Sequence, residues 1–182
     1  MGKKIVVLNG SPRKNGNTSG LIAAFAKGAE EAGNTVTTFF LDEMNIRACR
    51  GCYGGGKNPE SPCVLKDDMD KIYPAYREAD VLALASPLYF WSVTGILKCA
   101  FDRLFAIAEC EPNYANPFKE TVLLMAAEGG DFEPVVKHYR EILAQLRWKD
   151  IGQVLASGVN MPGDIDGKPI LEEARKLGAS IR

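Results

Sequence analysis

The fold of this chain can be predicted from one segment, residues 5–19, which reads IVVLNGSPRKNGNTS. Its first four residues, Ile5 to Leu8, are an uninterrupted apolar run, as is typical of a central parallel strand covered on both faces. Asn9-Gly10-Ser11-Pro12 then ends the strand. Asn17-Thr18-Ser19 supplies the polar side chains that favour the start of a helix. The segment therefore predicts a strand, a loop of small polar residues and a helix, in that order.

The predicted loop and helix start are suited to binding a phosphate group. A helix N-terminus offers unpaired N–H groups and a partial positive charge, both of which stabilise an anion. Ser11, Thr18 and Ser19 add hydroxyl groups, and Arg13 and Lys14 add positive charge. The alternative is that the loop only joins a strand to a capped helix.

Two other nucleotide-binding motifs do not match this segment. A P-loop has four residues between its glycines, followed by Lys and then Ser or Thr. Here five residues separate Gly10 from Gly16, and Asn17 stands in place of the lysine. The Gly-x-Gly-x-x-Gly fingerprint of dinucleotide-binding domains is not found after this strand either.

Length and composition favour a small globular enzyme or binding protein. The chain of 182 residues predicts one domain over residues 1–182, and its 46% apolar residues are typical of a globular core. The net charge of -1 gives no indication of a nucleic-acid or membrane partner. The chain shows no signal peptide and no apolar span long enough to cross a bilayer. Five cysteines in such a chain favour a reducing, cytoplasmic location.

Strand and helix patterns alternate along the chain. Strands are predicted at 5–8, 35–41, 81–85, 121–127 and 151–156, and helices at 18–32, 69–79, 94–108, 134–146 and 169–181. This alternation predicts an α/β fold with a doubly wound, five-stranded parallel sheet and helices on both faces. The loops 10–17, 86–92 and 127–131 follow strands one, three and four, so they should share the sheet edge where ligands bind in such folds.

The motifs resemble those of a known family. LNGSPRKNGNTS (8–19) and SPLYFWSVTGILKCAFDR (86–103) are similar to the NAD(P)H-dependent FMN reductase-like flavoproteins, which have a flavodoxin-like fold. Between them, CRGCYGGGKNPESPCVLKDDM (49–69) resembles the cysteine loop of the iron–sulfur flavoprotein branch. The resemblance covers most of residues 3–104 and is weaker beyond them.

The resemblance implies a set of FMN-binding residues. Those for the phosphate are Ser11, Arg13, Asn17, Thr18 and Ser19. Those for the isoalloxazine ring are Pro87, Leu88, Tyr89, Phe90 and Trp91, with Glu128, Gly129 and Gly130 on its other side. Backbone N–H groups of the 86–92 loop are expected to reach the polar edge of the ring. The residues agree with this assignment, because a flat ring needs apolar and aromatic walls, although the same aromatic side chains could instead cap the core.

The function implied is that of an FMN-dependent NAD(P)H oxidoreductase, in which NADH or NADPH reduces the flavin. Electrons then pass to a small-molecule acceptor such as a quinone, a flavin or a nitro compound. No side chain is predicted as a catalytic acid or base, because the flavin carries the chemistry. Relatives are commonly homodimers, so a homodimer or higher homo-oligomer is expected. A non-enzymatic flavodoxin-type carrier is an alternative, but such carriers are expected to be strongly acidic.

The cysteine loop leaves a second alternative open, an iron–sulfur flavoprotein that carries electrons through a cluster at Cys49, Cys52 and Cys63. A cubane cluster usually takes four thiolates, and this loop has three cysteines. The cluster-binding form has a further cysteine soon after the second, where this chain reads Tyr53-Gly54-Gly55-Gly56. We therefore predict no metal site and free thiols in this loop; a Cys49/Cys52 redox dithiol is a further possibility. Asp67, Asp68 and Asp70 are expected to interact with the dipole of the next helix, and the role of Arg103 is open.

Overall fold

A computed structural model describes residues 2–182 and contains one sheet of five parallel strands in the order β2-β1-β3-β4-β5. The strands are β1 (Lys4–Asn9), β2 (Thr35–Phe40), β3 (Val81–Pro87), β4 (Glu120–Ala126) and β5 (Lys149–Ala156). This is the strand order of flavodoxin-like proteins, so the predicted fold class is confirmed.

Helices cover both faces of the sheet, as predicted. They are α1 (Asn17–Glu31), α2 (Met69–Glu78), α3 (Gly95–Arg103), α4 (Phe105–Ala108), α5 (Glu133–Leu146) and α6 (Pro169–Ala179). Ile5 and Val7 of β1 pack with α1 and α6, whereas Val6 and Leu8 pack with α2, α3 and α5. Among residues 2–182, no helix has the length and apolar character needed to cross a membrane.

The prediction of one continuous helix over 94–108 is wrong, because the helix is interrupted at Leu104. The carbonyl of Arg103, which would accept the N–H of Ile107 in a continuous α-helix, accepts the Tyr73 hydroxyl at 3.2 Å instead. The Ile107 N–H donates to Leu104, one residue closer. The break separates α3 from α4 and turns α4 toward the cysteine loop, whose Gly55 N–H donates to Glu109 just after α4.

The irregular segment 44–68 is held against α3 by one buried ion pair. The Arg103 guanidinium donates to both oxygens of Asp67, at 2.8 and 3.0 Å, and to the carbonyls of Arg47 and Leu65. Burial alone would raise the pKa of the Asp67 carboxyl, but these bonds and the N–H groups of Arg47 and Met69 hold that pKa below its usual value. Asp67 thus contacts the helix start, as expected, and also has an ion-pair role that the sequence does not reveal.

Candidate functional site

The β1–α1 loop is folded by its own polar side chains. The Asn9 amide accepts the Ser11 N–H at 3.0 Å and donates to the Ser19 hydroxyl at 3.3 Å. The Ser11 hydroxyl accepts the N–H of Arg13 and donates to its carbonyl, both at 3.1 Å. A Cβ atom on Gly10 would lie 2.6 Å from Leu97 Cβ. Only glycine therefore lets the loop pass between β3 and the start of α3.

The start of α1 has backbone donors without acceptors. Its N-cap residue is Gly16, and no side chain caps the helix. Within residues 2–182, the N–H groups of Asn17, Thr18 and Ser19 have no hydrogen-bond acceptor, and neither has the Thr18 hydroxyl. Thr18 is nonetheless buried and lines a cavity. This is the donor set that an anionic group requires.

That cavity, of about 190 Å³, lies where β1, β3, β4 and β5 end and is open to the N-terminus of α1. It brings together residues that are far apart in the sequence: Ser11, Pro12, Arg13, Gly16, Asn17, Thr18, Pro87, Leu88, Tyr89, Ala126, Ala127, Glu128, Val159 and Asn160. Of the five residues predicted for the phosphate, only Ser19 does not line it, because its hydroxyl is bonded to Asn9 and to the Arg13 carbonyl.

The remaining residues predicted for the ring line a second, more open cavity of about 290 Å³, formed by Phe90, Trp91, Gly129 and Gly130. Leu88 lines both cavities, so the two are neighbours on either side of its side chain. The structure therefore gathers the predicted phosphate and ring residues, except Ser19, in two adjoining cavities at one edge of the sheet.

The 86–92 loop is a tight hairpin in which Tyr89 and Ser92 exchange two backbone hydrogen bonds of 3.0 Å. Phe90 and Trp91, the two residues at its tip, have φ angles of 48° and 57°, and Phe90 is 95% exposed. The Leu88 N–H donates to Ala126. The N–H groups of Leu88 and Tyr89 are thus engaged within the protein. The backbone N–H groups of Phe90, Trp91 and residues 128–130 remain available to bind a ligand.

Sequence reasoning missed Val159 and Asn160, which line the first cavity from the loop after β5. The Arg13 guanidinium donates to the Asn160 carbonyl at 2.8 Å, and the Asn17 amide bonds the same loop through Met161 and Ile165. β5 is parallel to its neighbours, so its end lies at the same edge. The position of this loop, after the end of a parallel strand, is the sequence signal that points to Val159 and Asn160.

The three loop cysteines line a separate cavity of about 160 Å³, together with Arg103, Phe105 and Glu109. Cys49 and Cys52 are exposed and Cys63 is half-buried. Gly55 and Gly56 pack so closely on Glu109 that added Cβ atoms would lie 2.4 and 2.2 Å from its atoms. Residues 2–182 contain no cluster of three or more Cys, His, Asp or Glu side chains arranged to bind a metal. Three thiols without a fourth do not fit a cubane iron–sulfur cluster.

Comparison with known proteins identifies the family. The NADPH-dependent FMN reductase family model matches residues 3–160. An iron–sulfur flavoprotein of Archaeoglobus fulgidus is 31% identical over 178 residues, covering 98% of this chain and 78% of that protein. One from Methanosarcina thermophila is 37% identical over 100 residues, 55% of this chain and 51% of that protein, so the chain matches about half of that relative's length. The structure of an NAD(P)H:quinone oxidoreductase from Methanothermobacter marburgensis aligns with a TM-score of 0.74 and 22% identity, covering 98% and 96%. The chain therefore belongs to the NADPH-dependent FMN reductase family.

Family membership confirms two predictions from the sequence. The chain is an oxidoreductase, and its cofactor is FMN with NAD(P)H as the electron donor. The unpartnered donors at the start of α1 fit the anionic end of such a cofactor.

Proposed function

We propose that the cavity at the start of α1 holds the FMN phosphate. The observation that carries this assignment is the group of unpartnered N–H donors on Asn17, Thr18 and Ser19, beside the free Thr18 hydroxyl. Arg13 donates one N–H to Asn160, and its other donors and its charge remain for the phosphate. Ser11 contributes by holding the loop in shape, and Asn17 through its backbone N–H.

The isoalloxazine ring would lie toward the second cavity. Its walls would be Pro87, Leu88, Tyr89, Phe90 and Trp91 on one side and Glu128, Gly129 and Gly130 on the other. The apolar and aromatic side chains would exclude water from one side of the ring. The N–H groups of residues 128–130 would stabilise negative charge at its polar edge.

Bound FMN supplies the chemistry, which is hydride acceptance from NAD(P)H and electron transfer to an acceptor. The chain's own residues bind and orient the cofactor, and none is placed as a catalytic acid or base. The proposed acceptor is a small quinone, flavin or nitro compound. The quinone is supported by the structural neighbour from Methanothermobacter marburgensis, which is an NAD(P)H:quinone oxidoreductase.

The proposed assembly is a cytoplasmic homodimer of one-domain subunits. Phe90 and Trp91 support the dimer, since two large aromatic side chains exposed at a cavity mouth are typical of a surface that is covered by another molecule. Size-exclusion chromatography with light scattering measures this directly.

An anaerobic absorbance titration tests the proposed function. Purified protein supplied with FMN should show flavin bands at one FMN per chain, and these bands should bleach on addition of NADPH. Protein that takes up no FMN, or whose bound FMN is not reduced by NADPH or NADH, would rule out the proposal.

A variant of the phosphate site sharpens the test. Thr18→Val should weaken FMN binding about tenfold, because a hydrogen bond to a charged group is lost, and should leave riboflavin binding unchanged, because riboflavin has no phosphate. Thr37→Val, at an exposed position of β2, is the matched control and should bind both flavins like the wild type.

A further inference from the structure

The loop after β5, residues 157–168, contacts two of the other loops that line the first cavity. On one side, the N–H groups of Gly158 and Val159 donate to Glu128 and Ala127, each at 3.0 Å. On the other side, the Asn160 carbonyl accepts the Arg13 guanidinium. The β5–α6 loop thus bridges the β4–α5 loop and the β1–α1 loop across the cavity.

Asn17 makes the most specific of these contacts. Its amide nitrogen donates to the Met161 carbonyl at 3.0 Å, and its amide oxygen accepts the Ile165 N–H at 3.2 Å. Asn17 is only 8% exposed, and both polar atoms of its amide are hydrogen-bonded. A side chain already bonded at both ends is poorly placed to serve as a direct phosphate ligand.

Asp164 stabilises the conformation of the bridging loop from its exposed side. One carboxylate oxygen accepts the N–H groups of Asn160 and Met161, at 2.9 and 2.7 Å. These two bonds hold the pKa of the Asp164 carboxyl below its usual value. Asp164 does not line the cavity, so its effect on a ligand there must pass through the loop.

Ile165 anchors the same loop in the core. It is 1% exposed and packs with α1, where a Cβ atom on Gly20 would lie 2.9 Å from its side chain. The loop is therefore fixed by the backbone of Val159, by the side chain of Ile165 and by Asn17, and its residues Val159 and Asn160 line the cavity.

We propose that the β5–α6 loop forms one wall of the FMN site and slows the release of FMN. Asn17 is then a positioning residue that holds this loop in place. The inference rests on the proposed function and adds to it a role for Asn17 other than binding the phosphate. It predicts that Asn17 and Asp164, although only one of them lines the cavity, act on flavin release through the same loop.

The test is the rate of flavin dissociation from the holoprotein, followed by the recovery of free-flavin fluorescence. Asn17→Ala and Asp164→Ala should each release FMN about tenfold faster, the change expected when one or two hydrogen bonds are lost. Because both variants free the same loop, the double variant should be little faster than either single one. An Asn17→Ala effect with Asp164→Ala within twofold of the wild type would overturn the proposal and identify Asn17 as a direct ligand.

Asn34→Ala is the matched control. Asn34 is another buried asparagine that bridges distant segments, through Lys3 at 2.8 Å and Ile181 at 3.0 Å, and it lies at the other edge of the sheet. This variant should lose stability without faster FMN release. If it also releases FMN faster, the effects are global and the proposal fails.

Limited proteolysis of the apoprotein separates this inference from the proposed function. Endoproteinase Asp-N should cut before Asp166, an exposed loop residue that all of these variants retain, faster in Asn17→Ala and in Asp164→Ala than in the wild type or in Asn34→Ala. If the wild type binds no FMN, the proposed function fails, but faster cutting would still establish the bridging role of Asn17. Unchanged cutting in both variants would exclude that role.

Discussion

At the scale of single residues, Arg103 is the side chain on which the cysteine loop most depends. It is 1% exposed, pairs with the fully buried carboxylate of Asp67 and donates to two carbonyls of the loop. Arg103→Met leaves a buried carboxylate without its partner, which costs about 3–5 kcal/mol. Urea unfolding should show a loss of stability of this size.

A second ion pair on the same helix gives the control for Arg103. Lys98 and Asp102, at i,i+4 spacing, are 2.7 Å apart but exposed, so Lys98→Met should cost less than about 0.5 kcal/mol. Because the folded-state pKa of Asp67 is lowered, its contribution is present above pH ~4 and is lost as the pH falls through the folded pKa. In Arg103→Met the free energy of unfolding should therefore depend less on pH in the acid range. Equal losses of stability in Arg103→Met and Lys98→Met would contradict this account.

Lys119, buried at the opposite end of the sheet, should make stability rise with pH. Its ammonium donates to the carbonyls of Ala79 and Arg77 and lies 5.1 Å from the centre of the Tyr76 ring. Burial lowers its pKa to about 8, so above pH 8 the unfolded chain binds more protons than the folded one. We expect the free energy of unfolding to increase by roughly 1–2 kcal/mol between pH 7.5 and 9.5.

Lys119→Met should abolish this rise, whereas Lys149→Met, at an exposed position, should keep it. The window ends below pH 10 because burial raises the pKa values of Tyr73, Tyr76 and Tyr139. Their stabilising effect is lost once the unfolded tyrosines ionise near pH 10. A flat profile in the wild type would show that Lys119 keeps its ordinary pKa.

At the scale of elements, the hairpin 86–92 stores strain at its tip. A two-residue turn with positive φ at both positions favours Asn-Gly, yet this chain has Phe90-Trp91. A left-handed conformation costs a side-chain-bearing residue roughly 1–2 kcal/mol, and Phe90 recovers little by packing because it is 95% exposed. The double variant Phe90→Asn, Trp91→Gly should thus be more stable by about 1 kcal/mol in urea unfolding.

The same variant should turn over NADPH more slowly, since the second cavity loses its aromatic wall. Stopped-flow reduction of the bound flavin measures this change. A variant that is both less stable and equally active would contradict the strained-turn interpretation. Ser92→Ala, whose side chain forms no hydrogen bond and whose backbone bonds are kept, is the control.

The local sequence pattern was sufficient to predict most strands and helices, but not the break within a helix. The apolar runs of β1 and β3 and the amphipathic helices were found within about two residues, because burial on both faces or on one face leaves a clear periodicity. The break at Leu104 depends on the hydrogen bond that Tyr73 donates to the Arg103 carbonyl, 30 residues further along the chain. The partner of Arg103 is 36 residues away. No periodicity encodes such contacts.

At the scale of the whole molecule, the parallel sheet explains why the candidate site could be predicted at all. Parallel strands end at one edge, so loops distant in sequence meet there without further information. Ser11, Leu88 and Glu128 were placed together on this argument and do line one cavity. Asn160 follows from the same argument applied to β5. The use of the Asn17 side chain required knowledge of the folded β5–α6 loop.

The whole chain also combines a flavin-binding fold with a cysteine loop that does not fit a cubane cluster, although its relatives are named iron–sulfur flavoproteins. Cys49, Cys52 and Cys63 are the thiols of that loop. A fourth thiol at Gly55 would meet both the Glu109 carboxylate and, at 2.7 Å, the Pro62 carbonyl.

We therefore expect protein purified and reconstituted without oxygen to contain well under one iron and one acid-labile sulfide per chain. Its visible spectrum should be that of flavin alone, since a cubane takes four thiolates. Stoichiometric iron that is lost in Cys63→Ser but retained in Cys99→Ser, whose thiol is on α3 outside the loop cavity, would contradict this expectation. It would mean that the loop rearranges around a cluster with a non-cysteine ligand. Iron that both variants retain would be bound outside the cysteine loop. The flavin would then still be the group that carries the electrons.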